Sequence, residues 1–112
     1  MSNFFYDQDL AFIPVEEGVK RKIKAYDGKL MMVEVYFEKQ GRGPAKTHAH
    51  PHEQVTYCLE GEIEFTVGEE VKIVKAGDTV YIPANLPHGT VLKSEKGRVL
   101  DVFTPLREDF LK

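Results

Sequence analysis

Glu62-Ile63-Glu64-Phe65-Thr66-Val67 alternates polar and apolar side chains without a fault. A period of two belongs to a strand with one buried and one wetted face. The same period recurs on both sides. Upstream, Leu30-Met31-Met32-Val33-Glu34-Val35-Tyr36-Phe37-Glu38 puts Val33, Val35 and Phe37 on one face. Downstream come Val71-Lys72-Ile73-Val74, Thr79-Val80-Tyr81-Ile82, Thr90-Val91-Leu92 and Arg98-Val99-Leu100-Asp101-Val102-Phe103. Turn signals separate them at Asp27-Gly28, Glu60-Gly61, Gly68-Glu69, Ala76-Gly77-Asp78 and Lys96-Gly97. No helix-length periodic segment intervenes, so the expectation is all-β, a sandwich or barrel. Only residues 105–111 suit a short helical turn.

The totals agree with one domain spanning residues 1–112, large enough for a small hydrophobic core. A net charge of -3 with interspersed signs gives no basic stripe, which disfavours nucleic acid. The N-terminus has no basic, then apolar, leader pattern, and no apolar run reaches the length of a membrane span. A cytoplasmic protein is therefore expected. Cys58, the one cysteine, reads as a small buried hydrophobe. The run Lys20-Arg21-Lys22-Ile23-Lys24 reads as a solvated strand face.

Chemistry concentrates in His48-Ala49-His50-Pro51-His52-Glu53-Gln54 and in His88. On an extended strand His48, His50 and Gln54 leave from one face. Three imidazoles and an amide oxygen suit one borderline or hard divalent cation with open positions: nickel, zinc, manganese, cobalt or ferrous iron. A neutral amide in place of a carboxylate leaves the cation its full positive charge, which favours Lewis-acid work over oxygen activation. His52 shares the parity, but Pro51 restricts the chain beside it, so it reads as a supporting residue, with ligation as the alternative. Glu53 replaces Gln54 only if the strand carries a bulge. With Gln54 inward, Val55, Tyr57 and Leu59 face outward and need cover. A second subunit, giving a homodimer, is favoured over a loop or the N-terminal segment containing Phe4, Phe5, Tyr6, Phe12 and Ile13.

Together these pieces resemble the cupin superfamily of small β-barrels, which implies a jelly-roll, double-stranded β-helix fold. The first motif matches as Gly43, four residues, then His48-x-His50-x3-Gln54-x6-Gly61. The second matches as Gly77-x5-Pro83-x-Asn85-x2-His88, with Asn85 where glycine is usual and Leu92 where asparagine is usual. The closing segment, Asp101-x-Phe103-x-Pro105-x-Arg107-Glu108-Asp109-Phe110, resembles that of the KdgF family of pectin-degradation cupins. So do His-Pro-His-Glu-Gln at 50–54 and Tyr81-Ile82-Pro83-x-Asn85-x-Pro87-His88-Gly89.

That resemblance implies metal-dependent opening of the ring of 4,5-unsaturated uronates to linear 5-keto sugar acids, an isomerase-type reaction. It implies His48, His50, Gln54 and His88 as metal ligands, with Asp101, Phe103 and Arg107 in catalysis. Their chemistry fits: an acid/base group, an apolar wall and a cation for the carboxylate of a small sugar acid. The alternatives are a non-catalytic sugar-acid-binding barrel, a different metal enzyme such as a dioxygenase or epimerase, and a metal-free structural barrel.

Overall fold

Alternation in the sequence becomes nine strands in a computed structural model that describes residues 2–41 and 47–111. Gly43, the first motif glycine, lies outside the described residues. In chain order the strands are β1 (Ile13–Glu16), β2 (Val19–Asp27), β3 (Leu30–Phe37), β4 (Glu53–Glu60), β5 (Glu62–Val67), β6 (Glu70–Lys75), β7 (Thr79–Ile82), β8 (His88–Leu92) and β9 (Gly97–Thr104). The helical pieces are single 3-10 turns at Asp7–Asp9 and Glu108–Leu111, the latter where a C-terminal turn is expected.

Every named pairing is antiparallel. One sheet runs β1-β2-β3-β9-β4-β7 and the other β6-β5-β8. The inner faces meet across an apolar cluster: Val19, Phe37, Cys58 and Val99 from the large sheet, Ile63, Phe65, Val74 and Leu92 from the small one. A second cluster, Met31, Val33 and Phe103, lies under Leu106 and Phe110 of the C-terminal segment. Among the described residues, no helix is long and apolar enough to cross a membrane.

Two glycine-type positions tie the loops down. Gly61, at φ 90°, links β4 to β5, and a Cβ there would lie 2.3 Å from the Lys96 carbonyl oxygen. Asn85 has φ 66°. This left-handed conformation suits glycine, and asparagine tolerates it better than other side chains do. Its backbone N–H donates to the His50 carbonyl at 2.7 Å, joining the β7–β8 connection to the histidine segment.

The basic run on β2 departs from the solvated face expected. Lys20, Lys22 and Lys24 leave from one side and Arg21 from the other. Lys22 is buried because the N-terminal segment crosses it: Asp7 accepts from Lys22 Nζ at 3.1 Å and from Lys24 Nζ at 2.6 Å. Arg21, sharing the face of Val19, lines the interior cavity. Single-residue alternation, not average polarity, decides where each cation goes.

The outer face of β4 stays bare. Val55 and Tyr57 are 46% and 45% exposed. Phe5 packs against Tyr26 and lines a pocket beside Met32 and Val102, Phe12 packs against Tyr36, and neither reaches Val55 or Tyr57 closely enough to bury them. Cross-strand register aligns Met32, Val102, Val55 and Tyr81 in a row across that face.

Candidate metal centre and active site

His48, His50 and His88 converge so that one ligand atom from each lies within 4.8 Å of the others. Their segments are pinned together. His48 and His88 exchange both backbone hydrogen bonds, at 2.8 and 2.9 Å, and Asn85 holds the His50 carbonyl. His88 Nδ1–H donates to the Leu86 carbonyl at 2.9 Å, which leaves its Nε2 lone pair to the cluster. Burial lowers the pKa of all three rings. For His48 burial, reinforced by His88, His50 and Arg107, brings the value down to about 4. Neutral imidazoles are the form that binds metal.

His50 carries the sharpest test of fit. Its Nδ1 faces the His52 carbonyl oxygen at 3.0 Å and its Nε2 faces Gln54 Oε1 at 3.1 Å. A neutral imidazole has one N–H, so one ring nitrogen must point a lone pair at an oxygen. Rotating the Gln54 amide does not resolve this without loss. Gln54 Nε2 donates to Thr56 Oγ1 at 2.9 Å, and Thr56 Oγ1 donates to Asp101 Oδ1 at 2.6 Å. With the amide reversed, the hydroxyl proton is needed at Gln54 and lost to Asp101 whenever that carboxyl is ionised. A cation shared by His50 Nε2 and Gln54 Oε1 satisfies every group at once. The donor set therefore fits a divalent ion.

His52 lies outside the three-histidine cluster. Its Nε2–H donates to the Leu106 carbonyl at 3.0 Å, which ties the chain after β9 to the histidine segment. Glu53 points outward and accepts from the Tyr81 hydroxyl.

The cluster opens on a cavity of about 180 Å³. Gln54, Asp101, Phe103 and Arg107 line it together with His48 and His88. Removal from water pushes the Asp101 carboxyl up to about 6, against the opposing pull of the Thr56 and Gln54 hydrogen bonds and the Arg107 charge. Arg107 follows the cis Thr104–Pro105 peptide, and its guanidinium lies 5.2 Å from the Phe103 ring. Its Nε and Nη2 donate to the two oxygens of Asp109 at 3.1 and 3.0 Å, so that edge of the fork is taken within the chain.

Three participants escape a reading of the sequence. Thr56, 1% exposed, bridges Gln54 and Asp101, and its signal is even parity with Gln54. Asp109 sits beyond the last strand, where no period applies. Arg21 is hidden in a run of lysines.

Comparison with known proteins identifies the family and the fold. A cupin domain model matches residues 33–103. The pectin degradation protein KdgF of Dickeya dadantii is 35% identical over 111 residues, covering 99% of this chain and 100% of that protein. The chain is a cupin of the KdgF family. The structure of KdgF from Halomonas sp. superposes with a TM-score of 0.89 at 32% identity, over 98% of this chain and 99% of that one. An RmlC-like cupin from Shewanella frigidimarina matches equally, with a TM-score of 0.89 at 34% identity over 98% and 96% of the two chains. In this KdgF-family chain the histidine cluster and its cavity lie between the two sheets, at the end where the histidine segment, β8 and the C-terminal segment meet.

Proposed function

We propose that this protein is a metal-dependent isomerase-type enzyme that opens the ring of 4,5-unsaturated uronate monosaccharides, giving the linear 5-keto sugar acid. It would serve the breakdown of pectin or alginate, in keeping with the role named for its Dickeya relative. One observation carries the reading. A hydrogen-bonded line runs from the histidine cluster through Gln54 and Thr56 to Asp101, a carboxyl raised to about 6 in the same cavity as Phe103 and Arg107.

The substrate is a cyclic hemiacetal whose ring oxygen is also an enol ether. A divalent ion on His48, His50, Gln54 and His88 supplies, when bound, positive charge for sugar oxygens. Asp101 takes the proton of the anomeric hydroxyl as the bond to the ring oxygen breaks and the aldehyde forms. It then returns that proton to the fourth carbon of the released enolate, which becomes the ketone. A pKa near neutrality suits a group that must be base first and acid second. Thr56 donates to Asp101 Oδ1 and so fixes the orientation of the carboxyl. Phe103 forms a wall against the ring. Arg107 offers its remaining N–H groups to the anionic substrate.

The protein acts as a single domain over residues 1–112, in the cytoplasm, with a small sugar acid as its partner. The exposed apolar side chains Met32, Val55, Tyr57 and Tyr81 support a homodimer through the outer face of the large sheet.

The decisive experiment runs the reaction in deuterium oxide and follows it by proton NMR. The metal-loaded protein should form the linear 5-keto acid, carrying one deuterium at the fourth carbon, faster than the spontaneous reaction. A product spectrum and rate identical to those without protein would remove the proposal.

A further inference from the structure

Among the described residues Arg21 has no ion-pair partner of its own, in the place where a sugar acid would lie. It leaves β2 on the inner face and lines the same cavity as Asp101, Phe103 and Arg107. Its guanidinium carbon lies 3.6 Å from the centroid of the Phe110 ring, and that of Arg107 lies 4.1 Å from the same centroid. Two positive side chains thus gather on one aromatic ring. Asp109 is the carboxylate bound at this point, and Arg107 holds both of its oxygens. Arg21 Nε is buried with no hydrogen-bond partner among the described residues. Loss of water and the charge of Arg107 both work against the Arg21 cation, with Asp109 opposing them at a distance.

A buried guanidinium N–H without an acceptor is costly, and a like-charged neighbour adds to the cost. Such a pair is relieved by an anion that enters the cavity. Arg107 alone is a poor carboxylate clamp, since Asp109 already occupies its Nε–Nη2 edge, whereas Arg21 has its fork available.

We propose that Arg21 seats the carboxylate of the ligand, with the free edge of Arg107 as its second cation, and so makes the site selective for sugar acids over neutral sugars. This rests on the uronate reading above and adds a residue to it. Arg21 is a binding residue here, with no part in proton transfer. Interactions made equally in ground and transition states raise affinity and leave the chemical step alone.

The test uses the metal-loaded full chain with Arg21→Gln and Arg21→Lys, thermal melts confirming that each folds. Calorimetry measures binding of galacturonate and of galactose, a neutral sugar of the same stereochemistry. Turnover of the unsaturated uronate is measured alongside. Arg21→Gln should weaken galacturonate at least tenfold, leave galactose unchanged and raise KM with kcat within about threefold. Arg21→Lys, keeping the charge but not the planar fork, should fall between, and it carries the test if Arg21→Gln unfolds. Equal weakening of both sugars would mean that Arg21 merely props Phe110, and would overturn the proposal. So would galacturonate binding unchanged within twofold. Wild-type protein that turns over substrate while Arg21→Gln behaves identically overturns the Arg21 assignment alone. Selective loss of galacturonate binding in Arg21→Gln, with a wild type that binds it but shows no turnover, supports Arg21 while removing the ring-opening reaction. Wild-type protein that neither binds galacturonate nor turns over the unsaturated uronate would overturn both.

Discussion

Replacing Asp101 with asparagine should make the metal-free protein more stable at neutral pH. The Asp101 carboxyl, pushed from 3.8 to about 6 by burial, binds its proton more tightly in the folded chain than in the unfolded one. Its ionisation therefore opposes folding. The cost is absent below about pH 4, grows as pH rises through 6, and is complete by about pH 7. A shift of about two pH units corresponds to about 3 kcal/mol at 1.36 kcal/mol per unit, an upper limit because water entering the cavity lowers it. Asparagine has nearly the same shape and still offers an oxygen to the Thr56 hydroxyl, so little else is lost. Urea unfolding of the chelated wild type and Asp101→Asn at a series of pH values from 4 to 8 reads the difference directly, because every other titrating group is common to both. The variant should match the wild type near pH 4 and gain up to about 3 kcal/mol at pH 8, which displaces the urea midpoint by about 1–3 M for a protein of this size. A variant that is less stable at pH 8, or a difference that does not change with pH, would refute the burial argument for Asp101.

Thr56→Val keeps shape and burial but cuts the line between Gln54 and Asp101, and should lower metal affinity or kcat by about 10–100-fold, read by metal titration and turnover with a melt as control. Asn85→Gly should leave the urea midpoint nearly unchanged, whereas Asn85→Ala should cost about 1–2 kcal/mol, since φ is 66° there. Tyr57→Glu with Val55→Lys on the bare face should convert a homodimer to monomer in analytical ultracentrifugation without changing the melt of the monomer by more than about 1 kcal/mol.

Much of this architecture is legible in local pattern, because a strand with one buried face must alternate. Glu62–Val67 and the inward set Gln54, Thr56 and Cys58 behave as their parity requires. The histidine cluster is legible for the same reason, together with the proline-rich approach to His88. What stays hidden depends on contacts distant in sequence. Placing β9 between β3 and β4 brings Asp101 beside Thr56, and nothing within either strand announces that pairing. Lys22 is buried only because Asp7 crosses it, and Arg107 loses one edge only because the final turn returns Asp109. Arg21 is the instructive case. Its parity with Val19 and Ile23 points inward, yet the surrounding lysines make the segment look uniformly wet.

The central claim is that the metal cluster and Asp101 act together on an unsaturated uronate. The direct measurement gives freshly generated substrate to metal-loaded, chelated and Asp101→Asn protein and follows the decay of the ultraviolet absorbance of the conjugated double bond. The loaded wild type should accelerate the decay over the spontaneous rate, and both controls should lose that acceleration. Decay at the background rate with folded, metal-bound wild type, or acceleration that persists without Asp101, would contradict the claim.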